Sequence, residues 1–86
     1  MTTELEALRE EINNLDQELL ELLEERFVLC EEIGELKKEQ NISIEDKHRE
    51  QEIIETKANS TSLRKEFVEQ LFNLIFSESK FVQKGK

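Results

Sequence analysis

The stretch from Leu5 to Leu36, LEALREEINNLDQELLELLEERFVLCEEIGEL, decides the fold because its apolar residues recur every three or four positions. This spacing places them along one face of a continuous α-helix. The stripe consists of Leu5, Leu8, Ile12, Leu15, Leu19, Leu22, Leu29, Ile33 and Leu36. Between Leu22 and Leu29 the register falls on Arg26, so a cation occupies a position where the pattern predicts a leucine.

The first helix is predicted to be too long for a compact domain of this size. Thr3 and Glu6 form a predicted capping box, and the apolar pattern continues to about Lys38 before Gln40-Asn41 interrupts it. About 35 helical residues span about 50 Å, whereas a compact domain of 86 residues has a diameter of about 30 to 35 Å. The overhanging stripe therefore needs cover from another chain. We predict an all-α fold in which two three-helix chains interlock as a six-helix homodimer.

Two shorter helices are predicted after the first, within a single domain of residues 1–86. The second helix is expected to begin near Asp46, and the third to run from about Leu63 to Val82. Residues 58–62, ANSTS, are expected to form the loop between them and to end in N-capping residues. Gly34 lies inside the first helix, where glycine costs about 1 kcal/mol relative to alanine, which predicts close packing of another element there.

Composition excludes several classes of function. The formal net charge of −9 opposes binding to nucleic acid and to anionic membrane surfaces. No apolar run approaches the roughly 20 residues that span a bilayer, and the acidic N-terminal stretch does not resemble a signal peptide. A cytoplasmic location is expected. One cysteine and one histidine make a disulfide or a structural zinc site unexpected, and no cofactor is expected.

Polar residues interrupt the apolar face of each predicted helix. Lys37 follows Arg26 by eleven residues, which places it within about 20° of the same helix face. Arg49 and Glu50 precede the apolar pair Ile53-Ile54 by one turn. On the third helix, Ser79 falls within the apolar stripe and Gln83 lies one turn beyond it.

These polar groups indicate a binding pocket. A buried polar group costs a few kcal/mol unless it is paired, and Glu50 alone cannot neutralise Arg26, Lys37 and Arg49. A small ligand that bears carboxylates could do so. Two alternatives stay open at this point. Arg26 could snorkel or set the register of a coiled coil, and the cations could pair with the abundant glutamates.

Taken together, the pattern resembles that of the all-helical (AroQ-type) chorismate mutases, in a stand-alone, monofunctional form. The likeness extends from about residue 5 to residue 83. It is carried by LREEI (8–12), LLxLLxxR (19–26), IGxxK (33–37), DxxRE (46–50) and LFxLIxxESxxxQ (71–83). Members of that family are three-helix chains that interlock as dimers. They convert chorismate to prephenate, towards phenylalanine and tyrosine, by a Claisen rearrangement.

The resemblance also implies a role for each site residue. It implies that Arg26 and Arg9 bind the two substrate carboxylates, with Arg9 supplied by the partner chain. It further implies that Lys37 donates to the ether oxygen and a carboxylate, and that Gln83 donates to the ether oxygen. The remaining implied substrate-binding residues are Arg49 and Ser79 on the carboxylate side, and Asp46 and Glu50 around the substrate hydroxyl.

Each of these residues has a simpler alternative. Asp46 could only cap the second helix, Ser79 could only bond back to a carbonyl of its own helix, and Arg9 could pair with a surface glutamate. His48 is expected to be solvated and Cys30 to be a small buried hydrophobe. The segment 38–45 is polar and lacks the proline frequent in the family, so a loose cover over the site is expected.

Two other functions are compatible with parts of the pattern. An isochorismate pyruvate-lyase shares the fold, but that subfamily does not keep the pair Arg49-Glu50. A non-catalytic helical dimerisation module would account for the apolar stripe. It would leave the coincidence of polar residues on all three helices unexplained.

Overall fold

The structure is a computed structural model, and it describes residues 3–85. It contains three helices in the order α1 (Glu4–Glu39), α2 (Lys47–Asn59) and α3 (Lys65–Gln83). The predicted all-α, three-helix chain with one long first helix is thus confirmed. The predicted domain began at residue 1 and ended at residue 86, and its first two residues and its last one lie outside the described range.

Both ends of α1 are fixed by local hydrogen bonds. At the start, the Glu6 amide donates to Thr3 Oγ1 at 3.1 Å and the Thr3 amide donates to Glu6 Oε2 at 3.4 Å, which completes the predicted capping box. At the end, Asn41 adopts a φ of 58° and the Ile42 amide donates to the Lys37 carbonyl at 2.7 Å. This is a Schellman motif with asparagine at the position usually held by glycine. It explains why the helix ends where the sequence predicted.

The boundary between α2 and α3 differs from the prediction. Residues 58 and 59 belong to α2, and α3 begins at Lys65 with Arg64 as an N-cap residue that makes no side-chain capping bond. The expectation that the Ser-Thr-Ser run caps α3 is wrong. The Ser60 hydroxyl instead donates to the Lys57 carbonyl at 2.9 Å and closes α2, while Thr61 Oγ1 accepts the Leu63 amide at 3.2 Å. Neither hydroxyl is therefore available to cap α3.

The helix α3 forms the centre of the chain because it packs against both α1 and α2. Among residues 3–85 the buried apolar residues are few: Cys30, Ile54, Val68, Phe76 and Val82. The close approach predicted at Gly34 is confirmed, since the nearest atoms beside its missing side chain are backbone atoms of Gln83. This contact brings the C-terminal turn of α3 onto α1.

The N-terminal half of α1 extends beyond this packed region. The chain measures 59 × 26 × 16 Å along its principal axes. Every leucine and isoleucine of the stripe from Leu5 to Leu22 is more than half exposed. The predicted overhang of α1 is therefore present in the single chain. Within residues 3–85 no helix combines the length and apolarity needed to cross a bilayer.

Candidate active site

A cavity of about 330 Å³ lies between the C-terminal half of α1, the segment 40–46, α2 and α3. Seven of the eight residues that the resemblance implied line this cavity: Arg26, Lys37, Asp46, Arg49, Glu50, Ser79 and Gln83. They come from all three helices and from the N-cap of α2. The interruptions of the apolar faces thus converge on one place.

Arg26 points into the cavity and is anchored by α3. Its Nη1 donates to Ser79 Oγ at 2.9 Å and lies 3.6 Å from Cys30 Sγ. The Ser79 hydroxyl in turn donates to the Ile75 carbonyl at 2.8 Å, so the back-bonding considered for Ser79 occurs together with its contact to Arg26. A guanidinium has five N–H donors. Because both contacts use Nη1, the other nitrogens have no hydrogen bond to a described residue.

Lys37 connects α1 to the segment that covers the cavity. Its Nζ donates to the Ile44 carbonyl at 2.9 Å, and its side chain is half-buried at the cavity wall. An ammonium group carries three donors. The contact with Ile44 therefore fixes the direction of Lys37 and leaves donors for a ligand.

Asp46 caps α2, as one of its two interpretations predicted. Its Oδ1 accepts the Arg49 amide at 3.0 Å, which satisfies one of the free amides at the helix start. This bond fixes the start of α2, whose first turn carries Arg49 and Glu50, and both of these residues line the cavity. The capping role thus supports the site without using both carboxylate oxygens.

Glu50 is paired with a cation that the sequence interpretation did not consider. Lys80 Nζ lies 3.0 Å from Glu50 Oε2 and 3.3 Å from Glu45 Oε1. The pKa of Lys80 is raised, first by its hydrogen bond to Glu50 and also by Glu45, against the lowering caused by partial burial. A signal for Lys80 was present, since it lies four residues after the buried Phe76 and directly follows Ser79.

The side chain of Gln83 lines the cavity. Its Oε1 is buried and has no hydrogen-bond partner among the described residues. Leaving such an acceptor unpaired costs about 1 to 3 kcal/mol. An amide rotated by 180° offers its N–H₂ donors at the same place. In either orientation Gln83 presents a polar group that a ligand can satisfy.

Arg9 and His48 lie outside this constellation, whereas Cys30 is part of the cavity wall. Arg9 precedes Arg26 by seventeen residues, which is about 25 Å along α1, and it is exposed on the overhanging half of the helix. His48 is exposed and lies 2.8 Å from Glu52 Oε1, as expected of a surface residue. Cys30 is buried beside Arg26 in the cavity wall, in agreement with its predicted packing role.

The formal charge of the cavity is opposite in sign to that of the whole chain. Its four cations are Arg26, Lys37, Arg49 and Lys80, and with the two carboxylates Asp46 and Glu50 they give a formal charge of +2. The chain as a whole has a formal charge of −9. A lining of this kind favours a small dianion, because clefts with walls of one sign concentrate ligands of the other sign. Within residues 3–85 no group of acidic, cysteine or histidine side chains is arranged to hold a metal ion.

Comparisons with known proteins all point to the same family. Residues 8–84 match the family model described as chorismate mutase type II. The fold is similar to that of a chorismate mutase (form II) from Thermus thermophilus, with a TM-score of 0.92, 31% identity, and coverage of 95% of this chain and 96% of that one. Form I of the Thermus protein gives a TM-score of 0.84 and 34% identity, with 90% and 99% of the two chains covered.

Similarity also extends to longer proteins. The bifunctional chorismate mutase/prephenate dehydratase of Escherichia coli (strain K12) is 37% identical over 90 residues, which is 99% of this chain and 23% of that protein. The corresponding protein of Aquifex aeolicus (strain VF5) is 48% identical over 52 residues, or 60% of this chain and 14% of the relative. The chain thus spans less than a quarter of the length of either bifunctional relative.

Proposed function

This chain belongs to the chorismate mutase type II family, and on that premise we propose that it catalyses the Claisen rearrangement of chorismate to prephenate. The observation that carries the proposal is the cavity of formal charge +2, which gathers cations from three helices together with the side-chain amide of Gln83. Its charge is equal and opposite to that of a substrate with two carboxylates.

The reaction explains why the cavity gathers hydrogen-bond donors, because it requires no nucleophile. In a pericyclic rearrangement one C–O bond breaks while one C–C bond forms within the same molecule, and no proton or external group is transferred. The rate then depends on holding the diaxial chair conformer, in which the reacting carbons approach. It depends also on fixed donors placed where negative charge builds on the ether oxygen.

Lys37 and Gln83 are proposed to donate to the ether oxygen. Both line the cavity. Lys37 is oriented by its bond to the Ile44 carbonyl, and the buried amide of Gln83 contains a polar atom without a partner among the described residues. Donors that are already fixed need little reorganisation when charge develops, which is the source of their catalytic effect.

The carboxylates are proposed to bind at two places. Arg26 is anchored through Nη1 to Ser79 and can present its remaining nitrogens to one carboxylate in the bidentate geometry that a guanidinium favours. Arg49 and Ser79 assist on that side. Arg9 would supply the second carboxylate contact from another copy of the chain. Asp46 and Glu50 would hold the substrate hydroxyl and its surroundings.

A homodimer is part of this proposal. The stripe of α1 from Leu5 to Leu22 is exposed in the single chain, and contiguous apolar surface of this extent marks an interaction site. Arg9 lies on the same half of α1 and cannot reach the cavity of its own chain. An intertwined pair would cover the stripe and complete the site at once. Residues 1–86 would then form a single unit, active in the cytoplasm in the synthesis of aromatic amino acids.

The decay of chorismate absorbance tests the proposal. Purified protein should consume chorismate and yield prephenate, whereas Arg26→Leu should stay folded and lose activity by at least about 100-fold, because it removes a charged contact worth several kcal/mol. Circular dichroism and size-exclusion chromatography of both proteins provide the control. A wild-type protein that leaves chorismate unchanged would exclude the function, and turnover of isochorismate to pyruvate would favour the lyase.

A further inference from the structure

Lys80 joins three parts of the molecule at the edge of the cavity. It lies on α3, and its ammonium group contacts Glu50 on α2 at 3.0 Å and Glu45 in the segment 40–46 at 3.3 Å. The side chains of Lys80 and Glu50 are 28% and 24% exposed, whereas that of Glu45 is 51% exposed. The contact with Glu50 is therefore the more sheltered of the two.

We propose that Lys80 is a positioning residue, which holds the Glu50 carboxylate for the substrate hydroxyl and fastens the segment 40–46 over the cavity. The inference rests on the proposed function, because Glu50 needs a fixed position only if a hydroxylated dianion binds beside it. Lys80 does not replace any of the residues that contact substrate. It acts through Glu50 and Glu45.

The first support is electrostatic. Glu50 lines a cavity suited to a dianion, and a carboxylate without a cation would repel that ligand. Removing the charge of Lys80 would lower the formal charge of the cavity from +2 to +1. Because both side chains are largely sheltered, salt in solution screens their attraction less than it screens a surface pair. Lys80 thus allows Glu50 to accept a hydroxyl while the site stays cationic.

The second support is mechanical. The covering segment is tied to α1 where Lys37 bonds the Ile44 carbonyl at 2.9 Å, and to α3 where Lys80 contacts the next residue, Glu45, at 3.3 Å. Lys37 is also the proposed donor to the substrate. The tether from Lys80 can hold the segment while Lys37 bonds to the ligand. The expectation of a loose cover took no account of this second lysine.

Two substitutions separate this role from a general loss of charge. Lys80→Met removes the charge and keeps an unbranched, flexible side chain, and Lys80→Arg keeps the charge. Lys84→Met is the matched control, because Lys84 lies one turn further along, is exposed and does not line the cavity. Glu45→Gln weakens the tether to the segment and leaves the pair with Glu50 intact.

Steady-state kinetics with chorismate give the first readout. Lys80→Met should raise KM about tenfold and change kcat less than about threefold, as expected when a charge pair that assists ligand binding is lost. Lys80→Arg should restore KM to within about threefold of wild type, and Lys84→Met should change it less than about twofold. A Lys80→Met protein with wild-type KM, or a Lys80→Arg protein as impaired as Lys80→Met, would overturn the proposal.

Hydrogen exchange of the protein without substrate gives an independent readout. Amides of the segment 40–46 should exchange faster in Lys80→Met and in Glu45→Gln, by about three- to tenfold, and at the wild-type rate in Lys84→Met. If the wild-type enzyme turns over chorismate but exchange is unchanged in Lys80→Met and Glu45→Gln, only the role of Lys80 as a tether is overturned. No turnover in the wild type would instead overturn the proposed function and the role towards substrate. If Lys80→Met does not fold, the KM of Lys80→Arg and the hydrogen exchange of Glu45→Gln still test the proposal.

Discussion

A Cβ atom at Gly34 would lie 2.5 Å from the backbone carbonyl oxygen of Gln83 and 2.7 Å from its Cα atom. Real Cβ atoms do not approach backbone so closely, so α1 and α3 meet here at a distance that only glycine permits. The residue brought close in this way is itself a proposed donor to the substrate. The contact that packs the two helices together therefore also fixes the position of this proposed donor.

Gly34→Ala should therefore impair catalysis more than the addition of one methyl group suggests. Alanine favours a helix over glycine by about 1 kcal/mol, but overpacking against backbone costs about 1 to 3 kcal/mol. We expect kcat to fall at least about tenfold, because the end of α3 must move. Gly85→Ala is the control, since nothing lies within 4 Å of that site and its φ of 84° causes only local strain. Unchanged kcat in Gly34→Ala would show that Gln83 does not depend on this contact.

Ser79→Ala should weaken substrate binding. The substitution removes the acceptor that Arg26 Nη1 bonds at 2.9 Å, and hydrogen bonds to charged groups contribute about 1.5 to 3 kcal/mol. We expect KM to rise about five- to twentyfold, because the guanidinium loses its fixed direction. Ser77→Ala, on an exposed position of the same helix, should leave KM unchanged. Equal effects of the two variants in steady-state assays would contradict the anchoring of Arg26 by Ser79.

The rate of the wild-type enzyme should be nearly constant between about pH 5 and 9. The proposed donor Gln83 is an amide and does not titrate, and lysine side chains ordinarily titrate at about pH 10.4. In Gln83→Glu the donor must be a protonated carboxyl group, so kcat/KM should fall as the pH rises above about 5. The two pH–rate profiles measured in parallel provide the test. A steep loss of wild-type kcat above about pH 6 would exclude Gln83 as the donor.

The contacts of Lys80 should stabilise the fold at neutral pH and lose this effect only in strong alkali. Its pKa is raised above the ordinary 10.5, chiefly by the bond to Glu50. A group with a raised pKa in the folded state stabilises fully below its unfolded pKa and less as the pH rises through the folded value. The difference in unfolding free energy between wild type and Lys80→Met should thus be constant from about pH 6 to 9 and shrink above about pH 10.5. Urea titrations of both proteins at about pH 7, 9 and 11 measure this difference. A difference that stays constant or grows at about pH 11 would contradict the prediction.

Mixing two inactive variants should restore activity if each site is shared between two chains. Arg9→Ala and Arg26→Leu homodimers would each lack a carboxylate contact in both sites. A heterodimer would combine the intact Arg26 of one chain with the intact Arg9 of the other in one of its two sites. After unfolding and joint refolding at equal amounts, about a quarter of wild-type activity is expected from statistical pairing. No recovery, with dimers present by size-exclusion chromatography, would show that Arg9 does not cross between chains.

The sequence predicted those features that leave a signal within a single helix. The capping box of Thr3, the end of α1 at Gln40-Asn41 and the close approach at Gly34 follow from periodicity and from the conformational preferences of individual residues. The inward direction of Arg26 and Lys37 follows in the same way, because a helix fixes which residues share a face. These predictions needed no knowledge of how the helices pack.

The sequence did not predict features that depend on a choice between alternative hydrogen bonds or on residues distant in sequence. The sequence offered three hydroxyl residues as caps for α3, but its N-cap is Arg64. Ser60 bonds instead to the end of α2, and Thr61 bonds within the loop. The pair of Lys80 with Glu50 joins residues thirty positions apart, and no local rule selects it from among 21 acidic residues. Only the packing of α3 on α2 brings these two side chains together.

The overhang of α1 also bears on how the molecule forms. Its N-terminal half can make its backbone hydrogen bonds within the chain, but the leucines from Leu5 to Leu22 remain exposed there and gain burial only on encounter with another molecule. In the proposed dimer, folding of this half is a bimolecular event, and the apparent melting temperature rises with protein concentration. Arg9 lies on this same half of α1, so dilution would remove catalytic competence and apolar cover together.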